Sequence, residues 1–275
     1  MSTWINGRRR ESISHLDRGL QYGDGLFETM RVRAAQIRLL DFHLQRLYAG
    51  CRRLRIAVPD QAALRDELQR IASSRRAGVL KLIVTRGVLS RRGYRPSGEE
   101  RSTRIATLHA LSGDRRGAGR LAPARVRLCR TPISMNTALA GLKSLNRLDS
   151  VLARSEWSDE RIWEGLMADA EGHWVCGTMS NLFLRRGAVL TTPPVDRSGV
   201  AGVMRRWVLQ SAGKVQLQVR ERAVRWRDLQ AADEIFMTNA VIGIRPVGRI
   251  EGGARTVTLQ QFDASEKLRI LLDKT

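Results

Sequence analysis

Lysine is scarce in this sequence. Of its 48 basic residues only Lys81, Lys143, Lys214, Lys267 and Lys274 are lysines, and the rest are arginine. A skew of that kind reflects coding bias as readily as function, so the scarcity alone assigns no role. Cysteine is also sparse. Cys51, Cys129 and Cys176 are odd in number and far apart, which excludes a disulfide framework or a zinc knuckle and predicts free thiols. The histidines, His15, His43, His109 and His173, show no metal-ligand spacing, so no metal centre is expected. No apolar run approaches the roughly 18 residues of a membrane span. The opening Met1-Ser2-Thr3-Trp4-Ile5-Asn6-Gly7 has neither the basic start nor the apolar stretch of a secretory signal. A cytoplasmic protein without a membrane partner is the expectation.

Positive charge is abundant. The formal net charge of +21 would suit a nucleic-acid binder, yet the arginines are spread along the chain. There is no dense basic tail and no interleaving of aromatic with basic residues, so no dedicated nucleic-acid partner is expected. Such a field still favours an anionic small molecule. With 275 residues, 43% of them apolar, the chain is long enough for one large domain or two ordinary ones and can bury a substantial core. The six tryptophans read as core or interface residues.

The periodicity predicts strands at 3–5, 11–13, 26–33, 79–85 and 103–111, with Asn6-Gly7 as a hairpin turn. Leu44, Leu47, Tyr48, Cys51 and Leu54 recur at helical spacing after Asp41, a candidate N-cap, and Leu64, Leu68 and Ile71 mark a second helix over 60–74. The Gly- and charge-rich stretch 113–120 reads as a linker between domains 1–112 and 121–275. Beyond it the pattern predicts strands at 125–130, 164–169, 181–191 and 233–238, and helices at 147–157, 202–211 and 258–272.

Lys143 stands at a junction, between the small and apolar residues Ala138 to Leu142 and a helix bearing Leu148, Val151 and Leu152. A lysine so placed can be partly desolvated, which favours the neutral amine that imine chemistry needs. The alternative is a solvated surface lysine, and local context alone does not decide between them.

An ordered set of motifs does. Asp17-Arg18-Gly19-Leu20-Gln21-Tyr22-Gly23-Asp24-Gly25-Leu26-Phe27-Glu28-Thr29 is followed by His43-Leu44-Gln45-Arg46-Leu47, Thr85-Arg86-Gly87 and Arg92-Gly93-Tyr94. Then come Gly141-Leu142-Lys143-Ser144-Leu145-Asn146-Arg147-Leu148, Ser180-Asn181-Leu182-Phe183, Gly199-Val200-Ala201-Gly202-Val203-Met204-Arg205 and Asp233-Glu234-Ile235-Phe236. The set resembles the fold type IV pyridoxal-phosphate enzymes, the family of D-amino-acid and branched-chain aminotransferases and aminodeoxychorismate lyases. Within that family the first and fifth segments are most similar to the lyase branch.

The resemblance implies an α+β, two-domain fold type IV enzyme, pyridoxal 5'-phosphate as cofactor, and a homodimer. It implies Lys143 as the Schiff-base lysine and Arg46 as the side-chain clamp on the cofactor phosphate, a task suited to a guanidinium fork. Val203 and Met204 would add backbone N–H donors at a helix N-terminus, which is an anion site on physical grounds as well. A further phosphate contact is implied at Asn239 and Ala240. Arg92, Tyr94 and Arg95 are candidates for holding substrate carboxylates, with Arg86 ranked below them, and Tyr22 and Asn146 are implied pocket residues.

One position departs from the family pattern. Where the family has a glutamate, five residues before the Asn of Ser-Asn-Leu-Phe, this chain has Cys176. A thiol holds a pyridinium less well than a carboxylate does, although a thiolate beside a cation could do so, and Glu171 is poorly placed to substitute. Weakening the electron sink harms transamination more than an elimination that forms an aromatic ring. The expected reaction is therefore elimination of pyruvate from 4-amino-4-deoxychorismate to give p-aminobenzoate, a step toward folate. The alternatives are an aminotransferase for D- or branched-chain amino acids and, from another class, a basic nucleic-acid-binding or inactive scaffold protein.

Overall fold

The computed structural model describes residues 2–88, 92–111 and 121–274. The linker expected at 113–120 lies outside them. The described residues form two compact units, one of 2–111 together with 142–146, the other of 121–141 and 147–274. The sequence reading places 142–146 in the C-terminal domain, but these residues pack with the first unit. The reason is backbone pairing: Phe27 N donates to Lys143 O at 2.9 Å and Leu145 N to Gly25 O at 3.0 Å.

The first unit contains β1 (Ser2–Ile5), β2 (Arg8–Arg9), α1 (Arg18–Tyr22), β3 (Gly25–Arg33), β4 (Gln36–Ile37), α2 (Leu40–Leu54), α3 (Gln61–Ser73), β5 (Ala77–Thr85) and β6 (Thr103–Ala110). Its strands form an antiparallel sheet in the order β2-β1-β6-β5-β3-β4. Asn6 and Gly7 both take positive φ, 49° and 80°, and this tight turn sets Arg8 opposite Ile5. The second strand therefore falls at Arg8–Arg9 and not at 11–13. Asp60 caps α3 by accepting from Ala63 N at 2.7 Å. Asp41, by contrast, is not the cap of α2; Leu39 holds that position at φ 56°, and Asp41 lies in the first turn, where its charge complements the helix N-terminus.

Period-2 burial along the sheet gives the unit its core. Leu26, Met30 and Val32 of β3 and Leu80, Leu82 and Val84 of β5 are buried, as are Leu44, Leu47 and Cys51 of α2 and Leu64, Leu68 and Ile71 of α3. One inward position of β3 is a carboxylate, Glu28, 2% exposed.

The second unit comprises β7 (Ala124–Leu128), α4 (Leu148–Arg154), β8 (Ile162–Ala168), β9 (Trp174–Gly177), β10 (Asn181–Arg186), β11 (Val189–Thr192), α5 (Val203–Ser211), β12 (Gln218–Glu221), α6 (Trp226–Gln230), β13 (Glu234–Asn239), β14 (Gly243–Gly252), β15 (Arg255–Thr258) and α7 (Asp263–Asp273). The expected strand 181–191 is a hairpin, broken at Gly187, which takes a φ of 55°. The expected helix at 258 begins only at Asp263, because Arg255 to Thr258 pair with β14 instead. The mixed sheet runs β12-β11-β10-β13-β14-β7-β8-β9 and closes on itself where β9 meets β10 through the Cys176–Asn181 pair. Val126, Leu166, Leu182, Ile235, Met237, Val247 and Ile250 fill its core, and Phe183 stacks on Phe236 at 5.1 Å between ring centroids. Strands and helices in these proportions give an α+β protein. No helix among the described residues is long and apolar enough to cross a membrane.

Candidate active site

Lys143 sits on the short segment that hydrogen-bonds to the start of β3. It is half-buried, and its Nζ lies 4.2 Å from the centroid of the Phe27 ring, which shields one side of the group from bulk water. Beside it, Ser144 is 1% exposed and its Oγ has no hydrogen-bond partner among the described residues. An unpaired buried hydroxyl costs free energy, so such a group is suited to bonding a ligand.

Two turns of α2 face β3 through polar side chains. Glu28 Oε2 accepts from His43 Nδ1 at 2.6 Å and from Arg46 Nη2 at 2.5 Å, and its Oε1 accepts from Arg46 Nε at 2.8 Å. Burial by itself would push the Glu28 carboxyl up; Arg46 and His43 outweigh it and hold the group at about 2. Glu28 is therefore an anion at neutral pH, can only accept, and fixes the proton of His43 on Nδ1. His43 is pulled below the usual imidazole range, chiefly by burial and further by the charges of Arg46 and Lys143, against the opposing pull of Glu28. Arg46 thus faces a carboxylate through two of its five donors.

Arg92, Tyr94 and Arg95 are exposed. Tyr94 meets Tyr22 at 5.3 Å between centroids, so the structure brings together two residues that the sequence linked only through family position. Arg18, buried in α1, donates to the carbonyls of Gly93 at 3.3 Å and Tyr94 at 2.8 Å and lies over the Tyr22 ring. Asp24 bridges Arg18 and Arg86. Arg86 also donates to the carbonyls of Leu54 and Arg55 at the end of α2, where a cation meets the negative end of the helix. Its work is structural. Asn146 donates to Gly23 O at 3.3 Å, and a Cβ on Gly23 would come within 2.7 Å of the Asn146 side chain, so this close approach requires glycine.

In the second unit, Asn181 prepares the start of α5. Its Nδ2 donates to Val200 O at 2.9 Å, and its Oδ1 would lie 1.9 Å from any Cβ on Gly202. The helix begins at Val203, and helix geometry leaves the N–H groups of Val203 and Met204 without intrahelical acceptors. Asn239 uses its Oδ1 on the amides of Val241 and Ile242, and the preceding Thr238 has a buried Oγ1 with no partner among the described residues. Asp169, Glu171 and His173 gather on the turn between β8 and β9, but Asp169 Oδ1 accepts amides of that turn and Glu171 pairs with Arg197 at 2.5 Å.

Cys176 is a thiol and not a thiolate. Burial foremost, then the nearby negative charges of Glu164 and Asp149, push it up to about 12; Arg147 opposes them without prevailing. Cys129 is likewise raised to about 12 and Cys51 to about 11, both mainly by burial. At pH 8 the folded protein should therefore react only slowly with an aromatic disulfide, releasing three equivalents of thiolate chromophore once unfolded in guanidinium. A fast stoichiometric reaction of the folded protein, mapped to Cys176, would contradict the neutral thiol.

Beneath Cys176 lies a residue to which the sequence reading gave no role. Glu164 is fully buried on β8. Its Oε1 accepts from the amides of Gly165 and Thr178 and from Thr178 Oγ1, and its Oε2 from Met179 N and Ser180 Oγ. Burial raises its pKa, and the hydrogen bonds oppose that rise. Glu164 thereby ties down the turn between Cys176 and Asn181. Both overlooked glutamates had a signal in the sequence. Glu28 falls in phase with Leu26, Met30 and Val32, and Glu164 interrupts an otherwise apolar strand.

A lysine on a strand-paired segment, an arginine on the facing helix and a glycine-led helix N-terminus, on a two-unit α+β framework, define a class. Residues 25–250 match the amino-transferase class IV family, and the chain belongs to it. It is 31% identical to an aminodeoxychorismate lyase of Vibrio harveyi over 90% of each chain. It is 32% identical to a putative branched-chain-amino-acid aminotransferase of Methanocaldococcus jannaschii over 92% of this chain and 88% of that one. Among solved structures, the crystal structure of 4-amino-4-deoxychorismate lyase from Pseudomonas aeruginosa superposes with a TM-score of 0.90 at 42% identity, covering 99% of this chain and 98% of that one.

Proposed function

We propose that the chain is a pyridoxal-phosphate-dependent lyase that converts 4-amino-4-deoxychorismate to p-aminobenzoate and pyruvate, a reaction serving folate synthesis. The observation that carries this reading is Lys143, half-buried against Phe27 beside the Ser144 hydroxyl, which has no partner among the described residues. The donor set suits an aldehyde-bearing phosphate ester. Lys143 would carry the aldehyde carbon, and Arg46, the Val203 and Met204 amides and the Asn239–Ala240 turn would be its phosphate donors. The cofactor, when bound, supplies an electron sink for the amine-bearing carbon of the substrate. Cys176 offers a neutral thiol where the resemblance expects a carboxylate, so the sink is weaker here, and this favours elimination over transamination.

In this reading Lys143 Nζ takes the proton from the amine-bearing carbon. The enolpyruvyl ether bond breaks, the ring becomes aromatic, and a proton returned to the departing enolpyruvyl methylene completes pyruvate. Arg92, Tyr94 and Arg95 are the proposed partners of the two substrate carboxylates, and Tyr22 and Asn146 the proposed pocket residues. We further propose a cytoplasmic homodimer as the working form, as the family resemblance implies. The test is direct competition of chemistries: incubation with aminodeoxychorismate should yield p-aminobenzoate and pyruvate, whereas incubation with alanine and 2-oxoglutarate should yield little glutamate. The reverse result would assign an aminotransferase.

A further inference from the structure

We propose that Glu28 is a positioning residue for phosphate recognition: it holds the Arg46 guanidinium in one plane and direction before the anion arrives. The inference rests on the reading of Arg46 as a phosphate donor and goes beyond it. Glu28 occupies an inward position of β3 that its neighbours in phase, Leu26 and Met30, fill with apolar side chains. A carboxylate there is costly unless its partners are good, because a buried charge loses its hydration. Its partners are close. Nε and Nη2 of Arg46 reach its two oxygens at 2.8 and 2.5 Å, and His43 Nδ1 reaches it at 2.6 Å from one helical turn earlier.

This two-point hold has a consequence for binding. A free arginine side chain has many rotamers and loses that freedom on meeting a ligand, whereas one already clamped along its Nε–Nη2 edge has lost it on folding. His43 in turn orients the carboxylate, so the order of support runs from His43 to Glu28 to Arg46. Outer partners of metal-binding residues change affinity by about 10- to 100-fold, and an effect of that order is expected here.

Apo-protein titrated with pyridoxal phosphate and, separately, with pyridoxal lacking the phosphate, each followed by the visible imine band, tests this. Glu28→Gln should weaken pyridoxal phosphate about 10- to 100-fold while leaving pyridoxal within about twofold. Arg46→Ala should show the same selectivity, and the double variant should be no worse than Arg46→Ala alone, since the two act as one unit. Should Glu28→Gln fail to fold, Glu28→Asp keeps the charge but shortens its reach by one methylene, and should show the same selective loss. Equal loss for both compounds, or none, in a Glu28 variant while Arg46→Ala remains selective would overturn the positioning role. An Arg46→Ala variant that does not distinguish the compounds would overturn the phosphate reading itself, and the inference with it.

Discussion

Lys143→Ala is expected to lower turnover of aminodeoxychorismate by about 10⁴-fold, the upper range for losing a positioned general base. Covalent attachment of the cofactor should vanish with it. Borohydride reduction of the wild-type protein in the presence of pyridoxal phosphate, followed by peptide mass spectrometry, should place the adduct on Lys143. The control is close at hand, because Lys81 Nζ also lies within 5.6 Å of the Phe27 ring centroid. Lys81 is exposed, whereas Lys143 is half-buried and stands next to a buried hydroxyl that has no partner among the described residues. An adduct on Lys81 with none on Lys143 would refute the assignment. Partial recovery of the Lys143→Ala variant by an added small primary amine would mark the missing group as an amine and not as a packing element.

Glu164→Leu is expected to give the largest loss of stability. The side chain is about the same size, but the three amides and two hydroxyls that converge on the carboxylate would be left without it in a buried site. A buried donor left unsatisfied costs about 1–3 kcal/mol, so losing the acceptor of several at once should cost at least about 3 kcal/mol. For a chain of this size that lowers Tm by roughly 10 °C. Glu164→Gln retains one acceptor oxygen and should cost about 1–3 kcal/mol. Thermal melts of the two variants give the ordering; a Glu164→Leu protein as stable as the wild type would show that the turn from Cys176 to Asn181 does not depend on this carboxylate.

The two glutamates mark the limit of what patterning reveals. Alternation along β3 identifies the buried face, and a charge in that phase is visible as an anomaly, but its partners are not. His43 and Arg46 reach Glu28 from α2, fifteen and eighteen residues further on, only because the helix packs across the strand. Cys176 behaves similarly. The motif frame locates the substitution, while the state of the thiol depends on burial and on the charges gathered from β8 and α4.

Several elements are legible in the sequence for local reasons. Asn6-Gly7 makes its turn and the Gly202-Val203 junction opens α5, each because the determinants lie within a few residues. Two of those misplaced had non-local causes. Thr258 carries no helix because β14 offers it a strand partner. Leu142–Asn146 leave the unit that flanks them because the uncovered edge of β3 accepts their backbone.

Lys143 illustrates the division as a whole. The order of motifs along the chain, a one-dimensional property, sufficed to single it out and to indicate the family. Its surroundings, with Phe27 under the amine and the Glu28 clamp on Arg46, come from residues distant in sequence. Only tertiary packing decides such contacts, because burial and the pairing of charges depend on which distant groups share a water-free volume.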